Sequence, residues 1–191
     1  MVVRGAKYPR KENEFYATPI ETTRVLLDKV RFGPHVVDPA CGDGAIIKVL
    51  KTYGYKAVGD DITTGFDFLT SPWRWPRHDL IMNPPFGIGG KTAMAFINRA
   101  LTITAGCNDK FAVLLPVDFD SGITRRFLFG DCPAFALKLT LLNRIRWFNG
   151  QAGSLNHAWF IYDWKHIGAP TIAYAAQRYP GSETTKDMLL G

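Results

Sequence analysis

Residues 35–52 have the pattern of a buried β-strand, a glycine-rich turn and an α-helix, in that order. The strand is the short apolar run HVVD at 35–38, and an amphipathic helix is predicted over 45–52. Between them, Pro39 ends the strand, and Gly42 and Gly44 permit a tight turn. A strand that passes directly into a helix is half of a βαβ unit, whose two strands pair in parallel. This segment therefore predicts an α/β fold with helices packed on a parallel sheet.

The same alternation continues along the chain. Further strands are predicted at 56–59, 66–69, 79–82, 111–116, 137–148 and 158–164, and further helices at 18–30, 92–102 and 121–129. Thr18, Pro19 and Glu21 have the spacing of a capping box that opens the first helix. The turn-rich stretch 149–156 joins the last two strands as a hairpin, so one strand is expected to be antiparallel.

The chain has 191 residues, which predicts one domain over 1–191, with a basic arm at 1–12 and a flexible tail at 181–191. No insertion is large enough for a separate target-recognition domain. No apolar run is long enough for a membrane helix, and the N-terminus lacks the apolar core of a signal peptide. The three cysteines are scattered and form no CxxC pair, which favours free thiols, a cytoplasmic location and no metal site.

The charge of the chain is unevenly distributed. The net charge is +6, which favours an anionic partner such as nucleic acid and no membrane. Residues 38–67, in contrast, contain five aspartates against three lysines. We therefore expect an acidic pocket inside a basic protein.

The acidic pocket is expected where the first two strands end. The turn 38–44 lacks the third glycine of a dinucleotide fingerprint, because Ile47 stands at that position, which disfavours NAD. Asp60 and Asp61 end the second strand, where a carboxylate commonly accepts hydrogen bonds from ribose hydroxyls. A ribose and a positive charge without a pyrophosphate match S-adenosylmethionine. The alternative is a tight turn whose aspartates have only a structural role.

A second candidate site is the tetrapeptide Asn83-Pro84-Pro85-Phe86, which follows the strand at 79–82. Asn-Pro is ordinarily a turn former, and that alternative stays open. As a functional group, the Asn83 side-chain oxygen and the Pro84 carbonyl could each accept one N–H of an exocyclic amine. This would favour a tetrahedral nitrogen and free its lone pair, while the prolines fix the direction of the acceptors. Phe86 offers a face on which a base can stack.

These motifs occur in a characteristic order: FYATP at 15–19, DPACGDG at 38–44, an acid at 61, DFL at 67–69 and NPPFG at 83–87. Over residues 13–164 the chain resembles the S-adenosylmethionine-dependent amino-methyltransferases, most closely the N6-adenine DNA methyltransferases, including small phage-type ones. The resemblance implies a Rossmann-like class I methyltransferase fold with a mostly parallel seven-stranded sheet and an antiparallel last strand. It also implies a cofactor site formed by Tyr16, Thr18, Pro19, Asp38, Ala40, Gly42, Gly44, Asp60, Asp61, Asp67, Phe68 and Asn83.

Within that implied site, Thr18 and its neighbours would contact the methionine end of the cofactor, and the turn 38–44 would line the methionine pocket. Asp61, rather than Asp60, would bind the ribose. Asp67 would hold the cofactor's adenine by a hydrogen bond and Phe68 would hold it by contact. Asn83, Pro84, Pro85 and Phe86 would form the catalytic site for the acceptor amine.

The acceptor is predicted to be N6 of adenine in DNA. Five basic residues are expected to contact phosphates around the mouth of the site: Lys91, Arg125, Arg126, Arg144 and Arg146. The segment 73–78 is expected instead to pack against the domain. RNA adenine and a protein glutamine amide remain alternative acceptors, and a cofactor-binding subunit without activity is an alternative of a different class.

Overall fold

The computed structural model describes residues 17–107, 109–147 and 153–178. Within these ranges the chain forms three α-helices: α1 (Ile20–Lys29), α2 (Ala45–Thr52) and α3 (Lys91–Ala105). It also forms seven strands: β1 (His35–Asp38), β2 (Lys56–Gly59), β3 (Asp79–Met82), β4 (Lys110–Pro116), β5 (Phe135–Leu141), β6 (His157–Asp163) and β7 (Thr171–Ala175). The predicted arm at 1–12 and tail at 181–191 lie outside the described residues.

The strands form a single sheet in the order β2-β1-β3-β4-β6-β5-β7. The first four are mutually parallel, β6 runs antiparallel to both β4 and β5, and β7 is parallel to β5. The predicted α/β class, the seven-stranded sheet and the single reversed strand are confirmed, although one of the seven strands is not at the predicted place. In detail, the reversed strand is the sixth along the chain, and the chain then continues into β7 at the sheet edge.

Residues 66–69 do not form the predicted strand. The Asp67 carboxylate accepts hydrogen bonds from the Leu69 N–H at 2.9 Å and from the Thr70 hydroxyl at 2.8 Å. These bonds close a local turn, because a short acidic side chain competes with the strand ladder for nearby donors. The alternation of apolar residues reflects the burial of Phe66 and Phe68 from within that turn.

The predicted capping box at the start of α1 does not form. The helix begins at Ile20, after Pro19, with no side-chain cap. The buried Thr18 hydroxyl accepts a hydrogen bond from Asn83 Nδ2 at 3.1 Å instead, so a tertiary partner replaces the local one. The predicted helix at 121–129 is likewise replaced by two short 3-10 helices, Phe119–Ser121 and Ile123–Leu128.

Helices cover both faces of the sheet. Side chains of α3 such as Phe96 and Ile97 pack on one face with a cluster of aromatic rings, and side chains of α1 and α2 such as Leu26 and Leu50 pack on the other. Trp73 and Trp75 pack against the α3 face, which confirms the packing role predicted for 73–78. No helix in the described part of the chain is long and apolar enough to span a membrane.

Candidate active site

The parallel strands bring the predicted site residues to the edge of the sheet that is formed by the carboxyl ends of β1–β4. Asp38 ends β1, Asp60 follows β2, Asn83 follows β3 and Asp118 lies just beyond β4. Because β6 is reversed, its first residue, His157, pairs with Pro116 at the same edge. Ligands of open α/β sheets bind outside the carboxyl ends of the strands, so this edge is the candidate active site.

The turn after β1 is hydrogen-bonded to the residues that follow β2. The Gly42 N–H donates to Asp61 Oδ2 at 3.0 Å, and the Cys41 N–H donates to the Asp60 carbonyl at 2.9 Å. Gly44 has a φ of 80°, in the left-handed region that favours glycine. Apart from its neighbours along the chain, no atom of the described residues lies within 4 Å of the position that a Gly44 Cβ would occupy. The turn therefore presents backbone to open space beside two carboxylates.

The Asp38 carboxyl group is buried away from solvent. One of its oxygens accepts a hydrogen bond from the Ala40 N–H at 3.1 Å. Burial raises the pKa of Asp38 to about 8; the bond from Ala40 opposes the shift and the nearby Asp61 adds to it. A positively charged group placed here would stabilise the ionised form.

Asp60 and Asp61 differ in their partners. Burial acts to raise the pKa of Asp61, but hydrogen bonds from Thr63 and from the Gly42 N–H outweigh it and hold that pKa below its ordinary value. Asp61 is therefore an ionised acceptor, and a carboxylate has more acceptor positions than these bonds occupy. Asp60 instead forms an ion pair with Arg74 at 3.0 Å. This difference favours Asp61 as the ribose ligand.

The Phe68 side chain lies in the hydrophobic core rather than in the candidate site. Its side chain is 2% exposed and packs against Phe96 and Trp73. The ring belongs to the core, so a contact between residue 68 and the cofactor's adenine would have to involve its backbone. Of the other cofactor residues predicted, Tyr16 lies outside the described residues.

The tetrapeptide after β3 is held from both sides. Asn83 Nδ2 donates to Thr18 Oγ1 at 3.1 Å, which assigns the acceptor atom Oδ1 to the opposite side of the amide. After Phe86, Gly87 has a φ of 69°, and a Cβ there would collide with the Thr92 hydroxyl. These constraints fix the direction of the tetrapeptide relative to the sheet.

A groove of about 380 Å³ opens beside Phe86. The Phe86 ring is 36% exposed and meets Phe119 edge-on at 5.7 Å between ring centroids. The groove is lined by Phe86, Pro116, Asp118, Phe119, Ser121, Gly122, Thr124, Arg125 and Leu155. Most of these residues follow β4 and were missed as site residues; the end of an apolar strand at Pro116 is the signal that could have indicated them.

The five basic residues predicted to contact phosphates differ in their partners. The Arg125 guanidinium donates to the Phe119 carbonyl at 2.9 Å and to the Gly89 carbonyl at 3.1 Å, and it stacks on the Phe119 ring. Arg125 therefore joins two loops, and its role as a phosphate contact stays a prediction. Arg126 forms an ion pair with Asp131 at 2.9 Å. Lys91, Arg144 and Arg146 are exposed.

No group of three His, Cys, Asp or Glu side chains is arranged to hold a metal ion within the described ranges. No protein-family model matches the sequence, and no curated protein is detectably similar to it.

Solved structures with the same fold are found at low sequence identity. A putative class I S-adenosylmethionine-dependent methyltransferase from Listeria monocytogenes superposes with a TM-score of 0.60 at 14% identity, over 91% of this chain and 69% of that one. A type I restriction-modification methyltransferase subunit from Streptococcus thermophilus gives 0.57 at 17% identity, over 83% of this chain and 47% of that one. A putative RNA methyltransferase from Pyrococcus horikoshii superposes with a TM-score of 0.52 at 18% identity, over 84% of this chain and 93% of that one.

The chain thus spans about half the length of the Streptococcus subunit. At these identities the similarity concerns the fold alone. The chain therefore has the α/β Rossmann-like fold of these methyltransferases.

Proposed function

We propose that this protein transfers a methyl group from S-adenosylmethionine to an exocyclic amine, N6 of adenine in DNA. The observation that supports this most directly is the hydrogen bond by which Thr18 orients the Asn83 amide at the end of β3. Asp38 and Asp61 lie at the ends of the neighbouring strands. The amide proposed to hold the acceptor amine and the carboxylates proposed to hold the cofactor therefore lie at the same edge of the sheet.

The residues present suit S-adenosylmethionine. Asp38 is a buried carboxyl that a cationic ligand would ionise, and Asp61 is an ionised acceptor suited to ribose hydroxyls. The open space at Gly44 leaves room for a ligand against the turn. When bound, S-adenosylmethionine supplies an electrophilic methyl group.

The chain's own residues prepare the acceptor nitrogen. Asn83 Oδ1 and the Pro84 carbonyl each accept one N–H, which withdraws the nitrogen lone pair from conjugation with the ring. The two acceptors are preorganised, by Thr18 on one side and by the proline backbone on the other. No general base is required, because the alkylated nitrogen is cationic and loses its proton readily.

Adenine is favoured over a glutamine amide by the groove beside Phe86. Phe86 presents a partly exposed ring to a space of about 380 Å³, which suits a flat base. The net charge of +6 favours a polyanion. RNA adenine is the second candidate, since structural neighbours include both a restriction-modification subunit and a putative RNA methyltransferase.

The proposal is tested by incubating the protein with methyl-labelled S-adenosylmethionine and unmethylated DNA, RNA or a protein extract, followed by mass spectrometry of nucleosides and peptides. We expect N6-methyladenine in the DNA and none with Asn83→Ala. Label found only in RNA or on glutamine would refute DNA as the acceptor. Absence of both cofactor binding and label would refute the methyltransferase assignment itself.

Cofactor affinity should depend on pH through Asp38. The free protein holds this carboxyl protonated below about pH 8, whereas the cationic cofactor favours its ionised form, so binding should release a proton. We expect affinity to rise between pH 6 and pH 8, by at most about tenfold per pH unit. Calorimetry in buffers of different ionisation enthalpy measures both effects. Asp38→Asn should abolish the proton release, and a wild-type affinity that is flat over this range would contradict the prediction.

A further inference from the structure

Large, exposed apolar side chains lie on the loops that line the groove beside Phe86. Ile88 is 81% exposed and Ile123 is 82% exposed, and Phe127 and Leu155 are each about half exposed. Ile88 follows the tetrapeptide after β3, Ile123 and Phe127 lie beyond β4, and Leu155 precedes β6. We call these four residues the apolar rim. Scattered exposed apolar residues are ordinary, but four on the loops of one groove mark a contact surface.

The two most exposed members stand on backbone that is held in place. Arg125 donates to the Gly89 carbonyl and to the Phe119 carbonyl, so the loop carrying Ile88 is tied to the segment that precedes Ile123. The Arg125 guanidinium also packs 4.0 Å from the centre of the Phe119 ring. Ile123 stands between Gly122 and Thr124, which line the groove, and Ile88 stands next to Gly89, whose carbonyl accepts a hydrogen bond from the lining residue Arg125. An apolar side chain on a fixed support can separate stacked bases, which a side chain on a loose loop cannot.

We propose that Ile88 and Ile123 act as a wedge that enters duplex DNA and occupies the space left when the target adenine leaves the stack. The inference rests on the proposed function, because an adenine inside a duplex can reach Asn83 only after it has been extruded. Apolar side chains that insert between base steps unstack them in this way. Lys91 supplies a nearby cation for the phosphate backbone, since it is exposed and forms no ion pair with a described residue.

A docking surface for a partner protein is the competing use of the apolar rim. The observations favour DNA because Ile88 is only two residues from Phe86 and the other three members of the rim lie on segments that line the groove beside Phe86. A partner bound across that opening would block access of the acceptor to Asn83. A wedge, in contrast, has to lie beside the pocket that receives the base.

The test compares three substrates that share one target adenine, taken from the sequence that the wild-type protein methylates: a paired duplex, a duplex with an abasic site opposite the target, and the single strand. The variants are Ile88→Ala, Ile123→Ala and the double variant. Ile167→Ala is the matched control, because Ile167 is 95% exposed but lies beyond the far end of β6, at the opposite sheet edge. Fluorescence of 2-aminopurine at the target position reports unstacking independently of methyl transfer.

We expect the ratio of paired-duplex to single-strand kcat/KM to fall about tenfold or more in the double variant. The abasic duplex should restore part of that loss, and the fluorescence rise on the paired duplex should disappear. Ile167→Ala should match the wild type on all three substrates. Equal losses on duplex and single strand, or no loss on either, would overturn the wedge. If wild-type protein methylates no DNA, including the single strand, the proposed function itself fails.

Discussion

Replacing Asn83 by alanine should lower turnover about 100- to 1000-fold, the effect typical of removing one preorganised polar group at a reacting centre. Cofactor affinity should change little, because the side chain is assigned to the acceptor amine. Single-turnover methylation and calorimetry separate the two effects. A variant that keeps full turnover would show that Asn83 is not catalytic, and a variant that loses cofactor binding in proportion to turnover would assign it to the cofactor instead.

Thr18 provides a matched pair of variants for the same site. Its hydroxyl accepts the hydrogen bond from Asn83 Nδ2, and the helix cap that could otherwise have explained this residue does not form. Thr18→Val should therefore lower turnover, whereas Thr18→Ser keeps the hydroxyl and should restore most of it. Melting temperatures of both variants show whether the fold is retained. Equal turnover in the two variants would rule out orientation of Asn83 by this hydroxyl.

Replacing Asp61 by alanine should weaken S-adenosylmethionine binding by about 1.5–3 kcal/mol, the range for a lost charge-assisted hydrogen bond. Two functions are removed together, since Asp61 also accepts the Gly42 N–H and so supports the turn after β1. Calorimetry measures the change in affinity, and the melting temperature reports any loss of the turn.

Asp60 is the control for this prediction. It is the neighbouring carboxylate, but its ion pair with the exposed Arg74 occupies it. Asp60→Ala should therefore weaken cofactor binding much less than Asp61→Ala. The reverse order would assign the ribose to Asp60 and would contradict the choice made from the hydrogen bonds.

The elements with strong local signals were predicted well. Helix α2 was predicted over the residues that form it, and β1, β2 and β3 also match. These strands are short apolar runs bounded by Pro or Gly, so local patterning and chain breaks mark their ends. The reversed strand was predicted as well, because the turn-rich stretch 149–156 could join its neighbours only as a hairpin.

Where local and tertiary contacts compete, prediction failed. The stretch 66–69 has the alternation of a strand, but the Asp67 carboxylate closes a turn. Strand β7 was missed, since its residues are largely exposed at the sheet edge and have no clear apolar alternation. The helix cap assigned to Thr18 is displaced by a partner 65 residues away.

By itself, the sequence determined the α/β class, the acidic turn after β1 and the tetrapeptide after β3, since each depends on residues that are neighbours along the chain. Only the tertiary structure decided which of these residues meet. It paired Thr18 with Asn83, and it placed the Arg125 guanidinium between the carbonyls of Gly89 and Phe119 on two loops. The physical reason is the sheet, because parallel strands bring the residues beyond their carboxyl ends together at one edge. At that edge a side chain forms a hydrogen bond with a partner that is close in space, even when the two residues are far apart along the chain.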